Sequence, residues 1–149
     1  MPARPVVASL TALVALGALA GCQKPTPGVT LVSDGHTVRT ESAVYCRDGQ
    51  SAARMNCATH PEHVKVLRVK QGAQVGVDVD KTLRDHGWVL IDADEKRRSD
   101  VQNTHYFTLD ANFTGRPMPG IINLEVQSLD HVSDKAAITG LWRFQLVQK

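Results

Sequence analysis

Val75-Gly76-Val77-Asp78-Val79-Asp80 alternates valine with glycine or aspartate at every step. Successive strand residues point to opposite faces, so the three valines share one side and Gly76, Asp78 and Asp80 the other. A strand buried on one face and wet on the other belongs to an antiparallel sheet rather than to a parallel sheet covered on both sides. The same alternation recurs in Thr104-His105-Tyr106-Phe107-Thr108-Leu109 and in Leu141-Trp142-Arg143-Phe144-Gln145-Leu146, where Trp142, Phe144 and Leu146 form the inner set. With Val29–Val32, His36–Cys46, Val64–Val69, Gly87–Asp92 and Ile121–Val126, the reading gives about eight strands.

Turn chemistry separates these stretches. Asp34-Gly35, Gln71-Gly72 and Arg116-Pro117-Met118-Pro119-Gly120 place Gly or Pro where the backbone must reverse. Asp80 to His86 can hold one short helical turn, with Asp80 as cap and Gly87 as stop. No other stretch is long and amphipathic enough for a crossover helix, so a parallel α/β fold is disfavoured. The expected fold is all-β, an antiparallel immunoglobulin-like β-sandwich of about seven or eight strands spanning residues 29–149. It departs from an antibody-type domain in one respect. Trp88 lies outside the interval between Cys46 and Cys57, and eleven residues are too few for that pair to bridge two sheets.

The composition agrees with one domain. The chain has 149 residues, 42% of them apolar, and 17 Lys and Arg against 15 Asp and Glu, a formal charge of +2. That apolar content excludes wholesale disorder, and the balanced charge excludes a nucleic-acid binder acting through a large basic field.

The N-terminal stretch points to a compartment. Arg4 precedes an apolar run from Val6 to Leu19, 14 residues that would cover ~21 Å as a helix, short of the ~30 Å hydrocarbon core. This reads as a targeting segment over residues 1–21 rather than a permanent span. Its end, Leu19-Ala20-Gly21-Cys22, resembles the lipobox of bacterial lipoproteins, which implies a diacylglycerol on the Cys22 sulfur and cleavage before it. Two acyl chains are enough for stable anchoring, where one is marginal. Residues 22–28 then form a lipidated tether, and at ~3.1 Å per residue Gln23 to Gly28 reach only ~19 Å. The domain is expected on the extracytoplasmic face of the cell membrane, held by the lipid and close to it.

Two cysteines remain, Cys46 and Cys57, and in an oxidising compartment an even pair defaults to a disulfide. The alternative is metal or small-ligand binding in the Cys57-His60-His63 region. Cys46, Cys57, His60 and His63 loosely resemble a zinc set, although a disulfide consumes both sulfurs and Pro61 restricts the segment between the histidines. A blue-copper set fits less well, because no Cys, His and Met cluster along the C-terminal strands.

Other chemistries lack their signatures. There is no G-x-S-x-G elbow, and neither G-x-G-x-x-G nor G-x-x-x-x-G-K-[ST] occurs. Asp78, Asp80 and Asp85 resemble the opening of a calcium loop, but Leu83 stands where glycine is needed and Val89 where the closing glutamate would be. Asp78 and Asp80 read as the wet side of a strand. Asp92 to Asp100 reads as a self-compensated, solvated hairpin tip. His105, Tyr106 and Phe107 cannot all point inward, so either His105 and Phe107 face the core or Tyr106 does. Asn112-Phe113-Thr114 fits a glycosylation sequon that is incidental in a bacterial lipoprotein.

Pro25-Thr26-Pro27 with Val29-Thr30, Tyr45-Cys46 with Asp48-Gly49, the Val75–Asp80 stretch, Gly87-Trp88, His105-Tyr106-Phe107 and Gly140-Leu141-Trp142-Arg143-Phe144 together resemble an actinobacterial lipoprotein family of unknown function, the small secreted lipoproteins of streptomycete type. The likeness covers nearly the whole chain after the targeting segment. It implies an extracytoplasmic lipoprotein and brings no established activity. The expectation is a non-enzymatic binding module without a cofactor, whose partners are the membrane and an envelope protein or wall component, and no nucleic acid.

Overall fold

The computed structural model describes residues 25–46, 51–52 and 57–149; the targeting segment, Cys22 and the Asp48-Gly49 turn lie outside them. In chain order the elements are β1 (Val29–Ser33), β2 (His36–Thr40), β3 (Val44–Tyr45), β4 (Ala58–Thr59), β5 (Val64–Val69), β6 (Gln74–Val79), α1 (Lys81–His86), β7 (Trp88–Asp92), β8 (Arg97–Arg98), β9 (Tyr106–Asp110), β10 (Ile121–Leu129) and β11 (Ile138–Gln148). A four-stranded sheet has the order β2-β1-β6-β9. A seven-stranded sheet runs β4-β3-β11-β10-β7-β8, with β5 also paired to β11. The two sheets form the expected sandwich-like arrangement.

Alternation sets which faces meet. Val75, Val77 and Val79 of β6 are buried together with Val29 and Leu31 of β1, and opposite them lie Leu124, Val126, Trp142, Phe144 and Leu146 of the larger sheet. Burying an aromatic or large aliphatic side chain contributes about 1.5–3 kcal/mol, so this interior layer is the main source of stability. The two buried indoles would be costly without partners for their N–H groups. Trp88 Nε1 donates to the Thr104 carbonyl at 2.9 Å, and Trp142 Nε1 to the Pro27 carbonyl at 2.9 Å.

Three expectations need correction. The sheets are not wholly antiparallel, because β5 lies parallel to β11 from Val64 beside Arg143 to Val69 beside Gln148. The cause is vacancy: β3 covers only Gly140 and Leu141 of that edge of β11, leaving the rest to a strand that can bury Leu67 and Val69. Alternation fixes faces but carries no direction. Second, His36–Cys46 is not one strand. The chain leaves the smaller sheet after Thr40 and enters the larger one at Val44, so the stretch divides between the layers. Third, eight strands have five residues or more, as the alternation predicts, but β3, β4 and β8 add two residues each, too few for a period to register.

The helix forms where expected, but Asp80 acts differently. It occupies the cap position without a side-chain cap bond. Its carboxylate instead accepts the Gly28 N–H at 2.6 Å and pairs with Arg39 at 3.0 Å, tying the start of β1 and the end of β2 to the β6–α1 corner. Gly87 ends the helix at φ 90°, a conformation glycine adopts without penalty.

Candidate functional site

Among the described residues, two places that combine exposure with chemistry stand out. The first follows the disulfide, which joins Cys46 and Cys57 as expected. These residues flank the pairing of β3 with β4, where Val44 faces Thr59 and Tyr45 faces Ala58. The bond therefore staples neighbouring strands at one edge of the larger sheet rather than bridging the sandwich. Immediately after β4 the chain makes a tight turn, His60-Pro61-Glu62-His63, closed by the His63 N–H on the His60 carbonyl at 3.0 Å. Pro61 is preset for the second position of such a turn. The restriction it imposes thus brings the two histidines together, and their rings stack with centroids 4.8 Å apart and planes 14° from parallel.

Glu62 lies between them. Its Oε1 is 3.4 Å from His60 Nδ1 and 3.8 Å from His63 Nε2. The Glu62 backbone N–H and then the His60 ring hold its carboxyl below the ordinary glutamate range. His63 Nδ1 is 3.1 Å from the Ser42 carbonyl. A carbonyl only accepts, so Nδ1 carries the proton, and in the neutral ring Nε2 presents a lone pair toward Glu62. The zinc set drawn from both cysteines is not what the fold offers, because the sulfurs are bonded to each other. What it assembles is two imidazoles and a carboxylate, with candidate ligand atoms all within 4.8 Å. Sequence reading named His60 and His63 but missed Glu62; the signal was a Pro after the first histidine and an acid before the second.

The second place is the side of the sandwich where β9 faces β7 and β8. Here a recess of about 220 Å3 is floored by Leu90, Leu109, Ile122 and Leu124 and rimmed by Asp92, Arg97, Arg98 and Asp110. On the other side β5 packs against β2. Among the described residues strand β9 ends its sheet, pairing only with β6. The bonds from Val79 N–H to the His105 carbonyl and from Ala111 N–H to the Ala73 carbonyl set the phase of that ladder. By alternation the backbone groups of Tyr106, Thr108 and Asp110 point away from β6. Strand β8, the corresponding edge of the larger sheet, is blunted by its length of two residues and its two arginines.

The other sequence candidates occupy structural positions. Asp78 is exposed on β6, whereas Asp85 pairs with Lys81 and Arg84, each at 2.6 Å, and Asp80 with Arg39. Asp80 and Asp85 thus hold separate partners, and Asp78 stands on the wet face of its strand. Phe107 packs on the core edge-to-face with Trp88, and Tyr106 is exposed. His105 does not face the core. Its Nδ1 donates to the Val79 carbonyl at 3.0 Å, and its Nε2 accepts from Arg84 at 2.7 Å, clamping α1 to the strand. Asn112 Oδ1 accepts from Gln71 and from the Thr114 N–H, an ordinary loop arrangement. The acidic hairpin tip is compensated largely from outside, by Arg116.

Fold and surface together define a disulfide-stapled β-sandwich domain with an uncovered strand edge and a small imidazole–carboxylate cluster. The chain belongs to the family described as protein of unknown function DUF2771, which it matches over residues 22–143. No curated protein and no solved structure matches it.

Proposed function

We propose that this chain is a lipid-anchored module on the extracytoplasmic face of the cell membrane that binds, without catalysing a reaction, an extended segment of a neighbouring envelope protein along β9. The observation that carries the binding reading is the outward-facing backbone of Thr108 and Asp110, with the Tyr106 N–H, beside the apolar recess; the Tyr106 carbonyl is already taken by the Thr104 hydroxyl. A free edge can accept another strand through main-chain hydrogen bonds, and an adjacent recess selects for alternate apolar side chains. The anchor reading rests on Leu19-Ala20-Gly21-Cys22 behind its short apolar run. From Cys22 to Pro27, where Trp142 holds the chain, five residues reach only ~16 Å at ~3.1 Å each. The Pro27 end of the domain then faces the bilayer. Strand β9 runs from Tyr106, beside Asp78 at that end, to Asp110, beside Gln74 at the far end. The recess therefore opens away from the lipid.

A photo-crosslinking residue at position 108 in intact cells is expected to capture one envelope protein. Thr108→Pro, tolerated on an edge strand but lacking the outward N–H, is expected to abolish capture while circular dichroism stays unchanged. Capture of glycan alone, or of the same protein by the proline variant, defeats the strand-addition reading. The anchor is tested separately with Cys22→Ala, which is expected to leave the membrane fraction and to take up no labelled lipid precursor.

A further inference from the structure

We propose that His60, Glu62 and His63 form a surface site for a divalent transition-metal cation of the zinc and copper(II) class, positioned by the oxidised Cys46–Cys57 bond. The site is independent of the β9 reading and uses none of its residues.

His63 donates its Nδ1 proton to the Ser42 carbonyl, so its Nε2 faces the Glu62 carboxylate as one acceptor facing another, 3.8 Å apart. Two acceptors converging on one point repel each other unless a donor or a cation lies between them, and the spacing leaves room for a cation. A metal ion bound by both atoms satisfies each of them at once. The Nδ1–H to carbonyl bond is also the arrangement that orients metal-binding histidines, fixing the tautomer and aiming the other nitrogen.

Distances agree. With metal–nitrogen bonds of about 2.0–2.1 Å and metal–oxygen bonds of about 2.0–2.2 Å, neighbouring ligand atoms on a tetrahedral ion lie about 3.3–3.4 Å apart. The His60–Glu62 separation is 3.4 Å and the His63–Glu62 separation 3.8 Å. The widest separation within the set, at most 4.8 Å, closes when the exposed His60 ring rotates out of its stack on His63, which also brings its in-plane lone pair onto the ion. The backbone beneath is fixed at several points. His60 N–H bonds the Ala43 carbonyl at 2.7 Å, the turn closes on itself, and the disulfide holds β3 to β4. The ligands are thus presented on a held turn rather than on a loose loop.

The donor set favours borderline ions. Two imidazoles and a carboxylate suit zinc and copper(II), whereas calcium and magnesium require mainly oxygen. Three protein ligands leave at least one position for water or an exogenous group. Oxidation of the cysteines excludes thiolate ligation and keeps the site within imidazole–carboxylate chemistry.

The test uses the full-length chain purified oxidised in detergent and dialysed against zinc chloride, with copper(II) sulfate as a second probe. One equivalent of zinc per chain is expected, with perturbed imidazole nitrogen resonances at His60 and His63. His60→Ala, His63→Ala and Glu62→Gln are each expected to weaken binding about ten-fold or more, and His131→Ala to leave it unchanged. Copper(II) is expected to bind the same residues more tightly. All the substituted side chains are at least 30% exposed, so circular dichroism should report intact folds. Undiminished stoichiometric binding by the His60→Ala, His63→Ala double variant overturns the proposal. So does binding that appears only after reduction, which would transfer the ion to the cysteine sulfurs, and so does an absence of binding by the oxidised chain.

Discussion

Arg116 is only 12% exposed, yet it meets Asp94 at 2.7 Å, Asp92 at 3.0 Å and Glu95 at 3.1 Å, and donates to the Ile121 carbonyl. Removing it leaves three carboxylates crowded together, one of them, Asp92, equally shielded from water. Arg116→Met is therefore expected to cost about 3 kcal/mol, the scale for breaking a shielded ion pair from one side, read as a lower urea midpoint at unchanged slope. Within the same group, hydrogen bonds from the Asn123 side chain and backbone, with Arg116 beside them, hold the Asp94 carboxyl below the usual aspartate range. A carboxyl depressed in the folded state contributes fully above its unfolded value, about 3.9, and loses that contribution as pH falls through the lower folded value. Asn123→Ala narrows the gap between the two values. Its urea midpoint should start lower near pH 5 and fall less by pH 2 than the parent's. Sequence reading described the Asp92–Asp100 tip as compensating its own charge, and Arg97 does pair with Glu95 at 2.8 Å. The larger partner comes from a separate loop, because an ion pair between loops leaves no periodic trace. Glu62 escaped notice for a related reason: its role appears only once the turn has brought two rings to either side of it.

Strand identity was legible where side chains alternate for five residues or more, as in β6, and helix α1 was legible from its cap and stop residues. What alternation cannot encode is partner and direction, which is why the parallel docking of β5 on β11 came only with the structure. Close approach between neighbouring elements is equally hidden, and two glycines show how differently it can weigh. A Cβ at Gly140 would lie 2.7 Å from the Trp142 ring and 2.8 Å from Ser128 Oγ. Trp142 is fully buried and held through its indole N–H, so it cannot yield, and Gly140→Ala is expected to cost about 2 kcal/mol. The atoms nearest a Cβ at Gly76 belong to the far end of Tyr106, whose exposed side chain can swing into solvent, and Gly76→Ala should stay within about 0.5 kcal/mol. Thermal midpoints of the pair decide this, and equal shifts would contradict it. The disulfide belongs at this scale too. It closes an interval of 11 residues, for which chain entropy gives about 3 kcal/mol, so unfolding with and without a phosphine reductant should differ by that amount.

Across the molecule, pairing joins residues far apart in the chain: β1 lies on β6, and β5 on β11. Folds dominated by such contacts close slowly, and refolding followed through the two buried tryptophans is expected in the millisecond-to-second range, not in microseconds. The layered architecture followed from sequence because a two-residue period with one apolar face leaves few alternatives to stacked sheets. The recess beside β9 did not, since it arises from where two sheets fail to meet, which no local pattern records. A pull on the N-terminal chain first reaches the fold at Pro27 and Gly28, one bonded to the indole on β11 and the other to the carboxylate at the β6–α1 corner. Tension is thereby divided between both layers at the point of entry, and β1 is loaded in shear instead of being peeled from its neighbours one rung at a time.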